Sequence, residues 1–360
     1  MRRWWVCLLL LFLVWSPGLR PQHAWAACTV ERPVSGAAGR FVLHLAADCT
    51  EAERDAHAVS AAALIEAMIK GESIDLVGVL IRGDLLFDIL PVQTTQLPKG
   101  LSAEQQAALT ELNAEERRLV LAPVTIRDSV VLGTVRHRSS TGTLQFAAPV
   151  DFHGTTFKAG VDLSRAVFEG TFDLSEAAFE KETYFVHGQF GHLLNCKETK
   201  FGPHTRFHRS IFRGSMTCTG AIFDGMVEFL EVTFEHALTM ERVRFGAGTG
   251  FSGSRFRRHA NFSDAIFSRE AFFSFARFEG DVSFTGAQFL GAADFSDAIF
   301  KAPDDLMKAR FDHPPLFTRT TRVTPAQASG WLQSPTGQYG VTLFFLLMAA
   351  LLLAYVFKLK

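Results

Sequence analysis

The side chains with the most chemistry to offer gather around two of the five cysteines in this 360-residue chain. Cys196 and Cys218 are flanked by His187, His192, His204 and His208, and thiolates with imidazoles make up the usual ligand set for zinc. The two cysteines hold the same position in successive coils of the repeat that fills the middle of the chain, and its phase turns both inward. His208 follows an inward Phe207 and so points outward, which denies the two ligand types a common ion, and no metal site is expected. The cysteines then read as small buried apolar residues, with a bridge between them as the alternative.

Two other groups of charged residues could act together. Arg206, His208, Arg209 and Arg213, with Arg255, Arg257, Arg258 and His259 two coils on, could form an anion-binding face. Glu228, Glu231 and Glu235 stand one coil after Arg206, Arg209 and Arg213, so ladders of alternating charge are the better reading. Asp264, Asp281, Asp294 and Asp297 are the nearest approach to the converging carboxylates a glycosidase needs, and they read as turn residues. The chain has no glycine-rich phosphate loop, nucleophile elbow, zinc-protease helix or Cys-x-x-Cys pair. The sequence therefore nominates no catalytic residue, no cofactor and no metal ligand.

Whatever these side chains do is set by where the chain places them. Thirty-six Lys and Arg against 37 Asp and Glu give a formal charge of −1, which argues against both a polybasic nucleic-acid binder and an acidic mimic of nucleic acid. Residues 1–26 read as an export signal: Arg2 and Arg3, an apolar run from Trp4 to Trp15, then Ala24-Trp25-Ala26 before a cleavage site. A lipid-modified Cys28 and a retained anchor are the alternatives. Gly340 to Phe357 carries no charge and precedes Lys358 and Lys360. A run of this length spans a bilayer as a helix and leaves the lysines in the cytoplasm. Disulfides persist outside the cytoplasm, and a Cys28–Cys49 bridge would close a loop worth about 3 kcal/mol in the chain-entropy model.

Between the ends lies a repeat of eleven. From Phe146, every eleventh residue is Phe: Phe157, Phe168, Phe179, Phe190, Phe201, Phe212, Phe223, Phe234, Phe245, Phe256, Phe267, Phe278, Phe289, Phe300 and Phe311. A second apolar series, from Phe152 to Leu306, lies six residues after each stop and includes Cys196 and Cys218. Steps of five and six fit neither an α-helix, where five residues turn roughly 140°, nor a flat strand with its period of two. A coil with short straight sides and a turn after each accommodates them. Two residues before most Phe stops the side chain is small, as at Ala166, Ala177 and Ala265; before the second series it is often bulky, as at Val161, Phe172 and Leu194.

With stretches such as Ala260-Asn261-Phe262-Ser263-Asp264-Ala265-Ile266-Phe267, residues 146–311 resemble the pentapeptide-repeat family. The resemblance implies an all-β solenoid, a right-handed quadrilateral parallel β-helix, here with about 22 residues per coil because alternate sides carry a sixth residue. It also implies binding or scaffolding rather than catalysis. Some members mimic double-stranded DNA and shield topoisomerases, a role that suits an acidic cytoplasmic protein rather than this neutral chain with its export signal.

Thr50 and Glu53 form a capping box, and a helix from there to Gly71, with Val59, Leu64, Ile65, Met68 and Ile69 inward, would cover the first coil. The series Ile74, Leu76, Val79, Ile81, Leu85 and Phe87 starts the coils. The expected division is a signal peptide at 1–26, an N-terminal cap with a helix at 27–72, first coils at 73–145 with a helical insertion near 88–123, the pentapeptide-like β-helix at 146–311, a linker at 312–338, a C-terminal transmembrane helix at 339–357 and a cytoplasmic tail at 358–360. The functional expectation is a non-catalytic interaction module, single-pass in the cell (inner) membrane, its bulk periplasmic or otherwise extracytoplasmic. Its partner would be a protein or envelope component, not nucleic acid, with self-association open. The alternative is a β-helical enzyme acting on envelope polysaccharide.

Overall fold

The structure, a computed structural model, describes residues 28–31, 39–93, 117–137 and 142–323. The export signal at 1–26, residues 94–116 of the helical insertion expected near 88–123, and the apolar segment at 339–357 lie outside them; at the edges of that insertion, Val92–Gln93 and Arg117–Val120 are strands. Among the described residues no helix is long and apolar enough to cross a membrane.

Short strands, parallel except where Val30–Glu31 meets Arg40–Leu45 and Val92–Gln93 meets Arg117–Val120, stack into four walls of 11, 11, 9 and 11 strands. Phe146 is in register with Phe168, Val150 with Phe172 and Val161 with Thr183, so each coil takes about 22 residues. One coil runs through Val150–Asp151 in wall 1, Thr156–Phe157 in wall 2, Val161–Asp162 in wall 3 and Ala166–Phe168 in wall 4.

The alternating step comes from two kinds of corner. After walls 1 and 3 the chain passes through a residue with positive φ, such as Glu176 (60°), Arg165 (60°), His187 (56°) or Arg209 (55°). The Ala166 amide then donates to the Leu163 carbonyl at 3.1 Å, the arrangement of a type II turn with its left-handed third residue. The Asp162 carboxylate braces this turn by accepting from the Ser164 amide at 3.0 Å. The tight turn makes the step five. From Phe146 on, the remaining corners lack a left-handed residue and take six, and some lie close on the coil before: a Cβ built on Gly225 would stand 1.7 Å from the Pro203 carbonyl oxygen.

Four columns share the interior, two from each series. Phe157 through Phe311, one per coil, line wall 2, and Phe146 through Phe300 line wall 4. In both columns successive rings are 4.5 to 5.5 Å apart and within 13° of parallel. All are buried except Phe311, which is half-buried at the last coil. The columns at walls 1 and 3 are the second series, buried throughout. The small positions also do hydrogen-bonding work: the buried Ser210 and Thr199 hydroxyls donate to the Phe185 and Leu174 carbonyls at 2.6 and 2.7 Å.

Three boundaries differ from expectation. Coiling starts before Ile74, because Arg40–Leu45 pairs in parallel with Ser73–Val77 and Val59–Ser60 pairs with strand Leu80–Arg82. The expected single helix is therefore two, α1 (Glu51–Ala56) and α2 (Ala61–Ile69), parted by that strand, and Ser60 caps the second through the Ala63 amide. The Thr50/Glu53 capping box is present, whereas Ile69 is 47% exposed because the shorter helix turns it outward. At the far end, coiling continues past Phe311. Thr321–Arg322 pairs with Ile299–Phe300, and Phe317 stacks on Phe295 at 5.4 Å, so the first part of the expected linker is wall.

Candidate functional site

Position inside or outside a wall decides what each candidate side chain can reach. Cys196 and Cys218 are fully buried, stacked by the Leu194–Met216 register at a Cα separation of 4.4 Å, and their sulfurs are joined at disulfide distance. That replaces the unbridged reading, since one coil of rise brings identical inward positions within reach. Cys28 and Cys49 are also joined, with Cα atoms 4.7 Å apart. His187 and His192 are exposed on the outer surface, across the wall from both sulfurs. Among the described residues no group of three or more His, Cys, Asp or Glu could hold a metal ion.

Outside the walls, residues one coil apart pair. Arg206 Nε donates to Glu228 at 2.7 Å and Arg209 Nε to Glu231 at 2.9 Å, and Lys158 pairs with Glu180. His259 Nδ1 is 2.7 Å from Asp281 and Arg319 Nη2 is 2.6 Å from Asp297. Arg213 departs from the expected ladder: it donates to Gln189 at 2.9 Å, while Glu235 lies 3.7 Å from Arg257. The four aspartates do not converge. Asp264 is at the corner after wall 1, Asp281 precedes a wall 1 strand, Asp294 lies in wall 3 accepting from the Ser296 amide at 2.8 Å, and Asp297 is at the corner after wall 3.

The densest outward grouping spans wall 3 and the corner after it. On the wall, Arg206 lies over the Tyr184 ring, 5.4 Å from its centroid, and donates to His204 Nε2 at 3.1 Å. Glu228 is 3.5 Å from the same His204 nitrogen. Three residues along, the corner column reads Arg165, His187, Arg209, Glu231 on successive coils. Beside it opens a cavity of about 230 Å³ lined by Thr143, Arg165, His187, Gln189, Arg209 and Ile211. Burial first, and then the cationic Arg165, Arg209 and His208, hold the His187 imidazole below its ordinary value, with Glu231 opposing. Arg165 was not among the sequence candidates. Its signal was the one-coil interval to His187 and on to Arg209, visible once the left-handed corner is recognised as a column.

A four-walled parallel solenoid whose outer face is laddered with charge is a repeat scaffold, in which each coil contacts only its neighbours. A family model described as pentapeptide repeats (9 copies) matches residues 264–310. The same Phe-centred coils run on from that stretch toward Phe146, so the solenoid is built of pentapeptide-like repeats, which supports a pentapeptide-repeat protein. No curated protein matches it, and no solved structure does.

Proposed function

We propose that this protein is a membrane-anchored, outward-facing and non-catalytic scaffold that presents a rigid wall to a protein or another component of the cell envelope. The observation that carries the reading is the continuous stack of buried Phe columns beneath an outer surface whose ionic groups pair from coil to coil. Such a surface is rigid and patterned, suited to holding a partner rather than to closing over a substrate. Two cysteine pairs at disulfide distance support an oxidising compartment, in keeping with the apolar segments at both ends of the sequence.

The test is crosslinking in intact cells followed by identification of what copurifies, with protease added to spheroplasts to report topology. The proposal expects an envelope partner and a solenoid cleaved from outside. Recovery of a cytoplasmic partner with a protected solenoid would overturn the topology, and turnover of an envelope polysaccharide by the purified chain would overturn the non-catalytic assignment.

A further inference from the structure

We propose that the corner formed by Arg165, His187 and Arg209 is a binding site for a tetrahedral oxyanion, phosphate or sulfate, either free or as a monoester. Elsewhere on the outer surface, residues one coil apart commonly pair as opposites, as in Arg206 with Glu228 and Asp297 with Arg319. Here three basic residues follow one another on successive coils. The coil rise is about 4.8 Å, so the outer two are separated by about 10 Å, a span that one hydrated oxyanion can bridge.

The donor set matches that ligand. Guanidinium groups present planar forks to oxyanion edges. Glu231 takes Nε and Nη2 of Arg209, at 2.9 and 3.4 Å, which leaves the Nη1 edge outside that pair. The His187 imidazole makes no hydrogen bond among the described residues. Thr143 and Gln189 line the same cavity, whose roughly 230 Å³ exceeds by several-fold the ~30 Å³ share of one water molecule. The walls hold these groups in place: the His187 amide donates to the His208 carbonyl at 2.8 Å and the Arg209 amide to the Leu230 carbonyl at 2.9 Å, so the corner is built before any anion arrives.

The charged groups facing His187 are Arg165, Arg209, His208 and Glu231. A bound dianion outweighs the cations around the imidazole and favours its protonated form, so affinity for sulfate, which stays a dianion throughout, should rise as pH falls through the imidazole range, whereas phosphate takes up a proton of its own there.

The test is calorimetric titration of the full chain with inorganic phosphate at pH 8 and fixed ionic strength, repeated with glycerol phosphate, and, for the pH dependence, with sulfate at pH 6 and pH 8. His187→Gln and Arg209→Gln are compared with Arg244→Gln, a control on wall 2. The expected result is saturable binding, for sulfate tighter at pH 6 than at pH 8, weakened at least tenfold in both corner variants and unchanged in the control. Equal binding of the two phosphate ligands identifies a monoester site, and preference for inorganic phosphate a site for the free ion. In parallel, the His187 imidazole resonance, assigned by its loss in His187→Gln, should move with phosphate in the unsubstituted protein, which tests the site without relying on a variant's folding. Absence of saturation, a resonance that does not move, or equal weakening in the control would overturn the proposal.

Discussion

Phe245 and Phe267 lie one above the other on successive coils, ring centroids 4.7 Å apart and planes 13° from parallel. Phe267 repeats the contact with Phe289 at 4.5 Å and 1°, so each interior ring serves two interfaces. Aromatic pairs add about 0.5 to 1.5 kcal/mol beyond the area they bury. Phe267→Ala would open a cavity in a fully buried column, and we expect it to destabilise the solenoid by about 3 to 5 kcal/mol. Denaturant unfolding measures this, and a midpoint matching that of the unsubstituted protein would contradict the packing.

The glycines of the six-residue corners offer a test of opposite kind. A Cβ on Gly225 would stand 1.7 Å from the Pro203 carbonyl oxygen, with main chain and not a flexible side chain in the way, whereas a Cβ on Gly248 meets nothing within 4 Å. Gly225→Ala should therefore destabilise by about 1 to 3 kcal/mol or more. Gly248→Ala should be neutral or stabilising by up to about 1 kcal/mol through the unfolded chain. The pair of melting temperatures must move apart; a common shift would show that the corners do not pack as described.

The column and wall pattern was legible in the sequence because a five-and-six step of large apolar residues suits almost no other backbone. Other features were hidden for identifiable reasons. The left-handed corner positions are seldom glycine: Gly253 advertises the conformation, but Arg165, His187, Glu231 and Phe275 adopt it too, held by the turn bond and by the coils on either side. Phe317 continues the second series, but Pro314 and Pro315 made that stretch read as linker. The bridge between Cys196 and Cys218 was not decidable from spacing, since stacked buried cysteines satisfy the same pattern whether joined or not. The cationic corner needed the three-dimensional column, because its members are far apart in the chain and meet only when three successive coils are stacked.

Phe275 is the oddest of the left-handed residues, bulky, 62% exposed and at φ 60°. Left-handed backbone costs a residue with a Cβ about 1 to 2 kcal/mol, and glycine returns part of that gain through its freer unfolded chain. Phe275→Gly should raise stability by about 0.5 to 1 kcal/mol, following the precedent of Gly253 one coil earlier. Phe272→Gly, on strand Ala271–Phe272, should lower stability, because glycine weakens a strand. Chemical unfolding of both variants decides it, and stabilisation by the strand substitution or destabilisation by the corner one would refute the backbone argument.

His137 carries the pH dependence. Register places it between Phe87 and Leu163 on the inner face of wall 3. It is 2% exposed, and neither ring nitrogen makes a hydrogen bond among the described residues. The sequence pattern missed it because the coil there is longer than those that follow, with Val131 in register with Phe157. Burial holds its pKa below the ordinary 6.5, with Ser164 backbone, Asp88 and Asp162 pulling upward and Arg118 downward. A depressed imidazole binds its proton more readily in the unfolded chain, so the folded state is favoured above pH 6.5 and loses stability as pH falls from there toward the folded-state value. One group contributes at most about 1.4 kcal/mol per pH unit. His137→Leu replaces the ring with an apolar side chain that does not titrate, and between pH 7 and 5 the variant should lose less stability than its parent. Carboxylates common to both proteins cancel in that difference, which isolates the imidazole; parallel stability curves across the window would show that His137 is not buried in its neutral form.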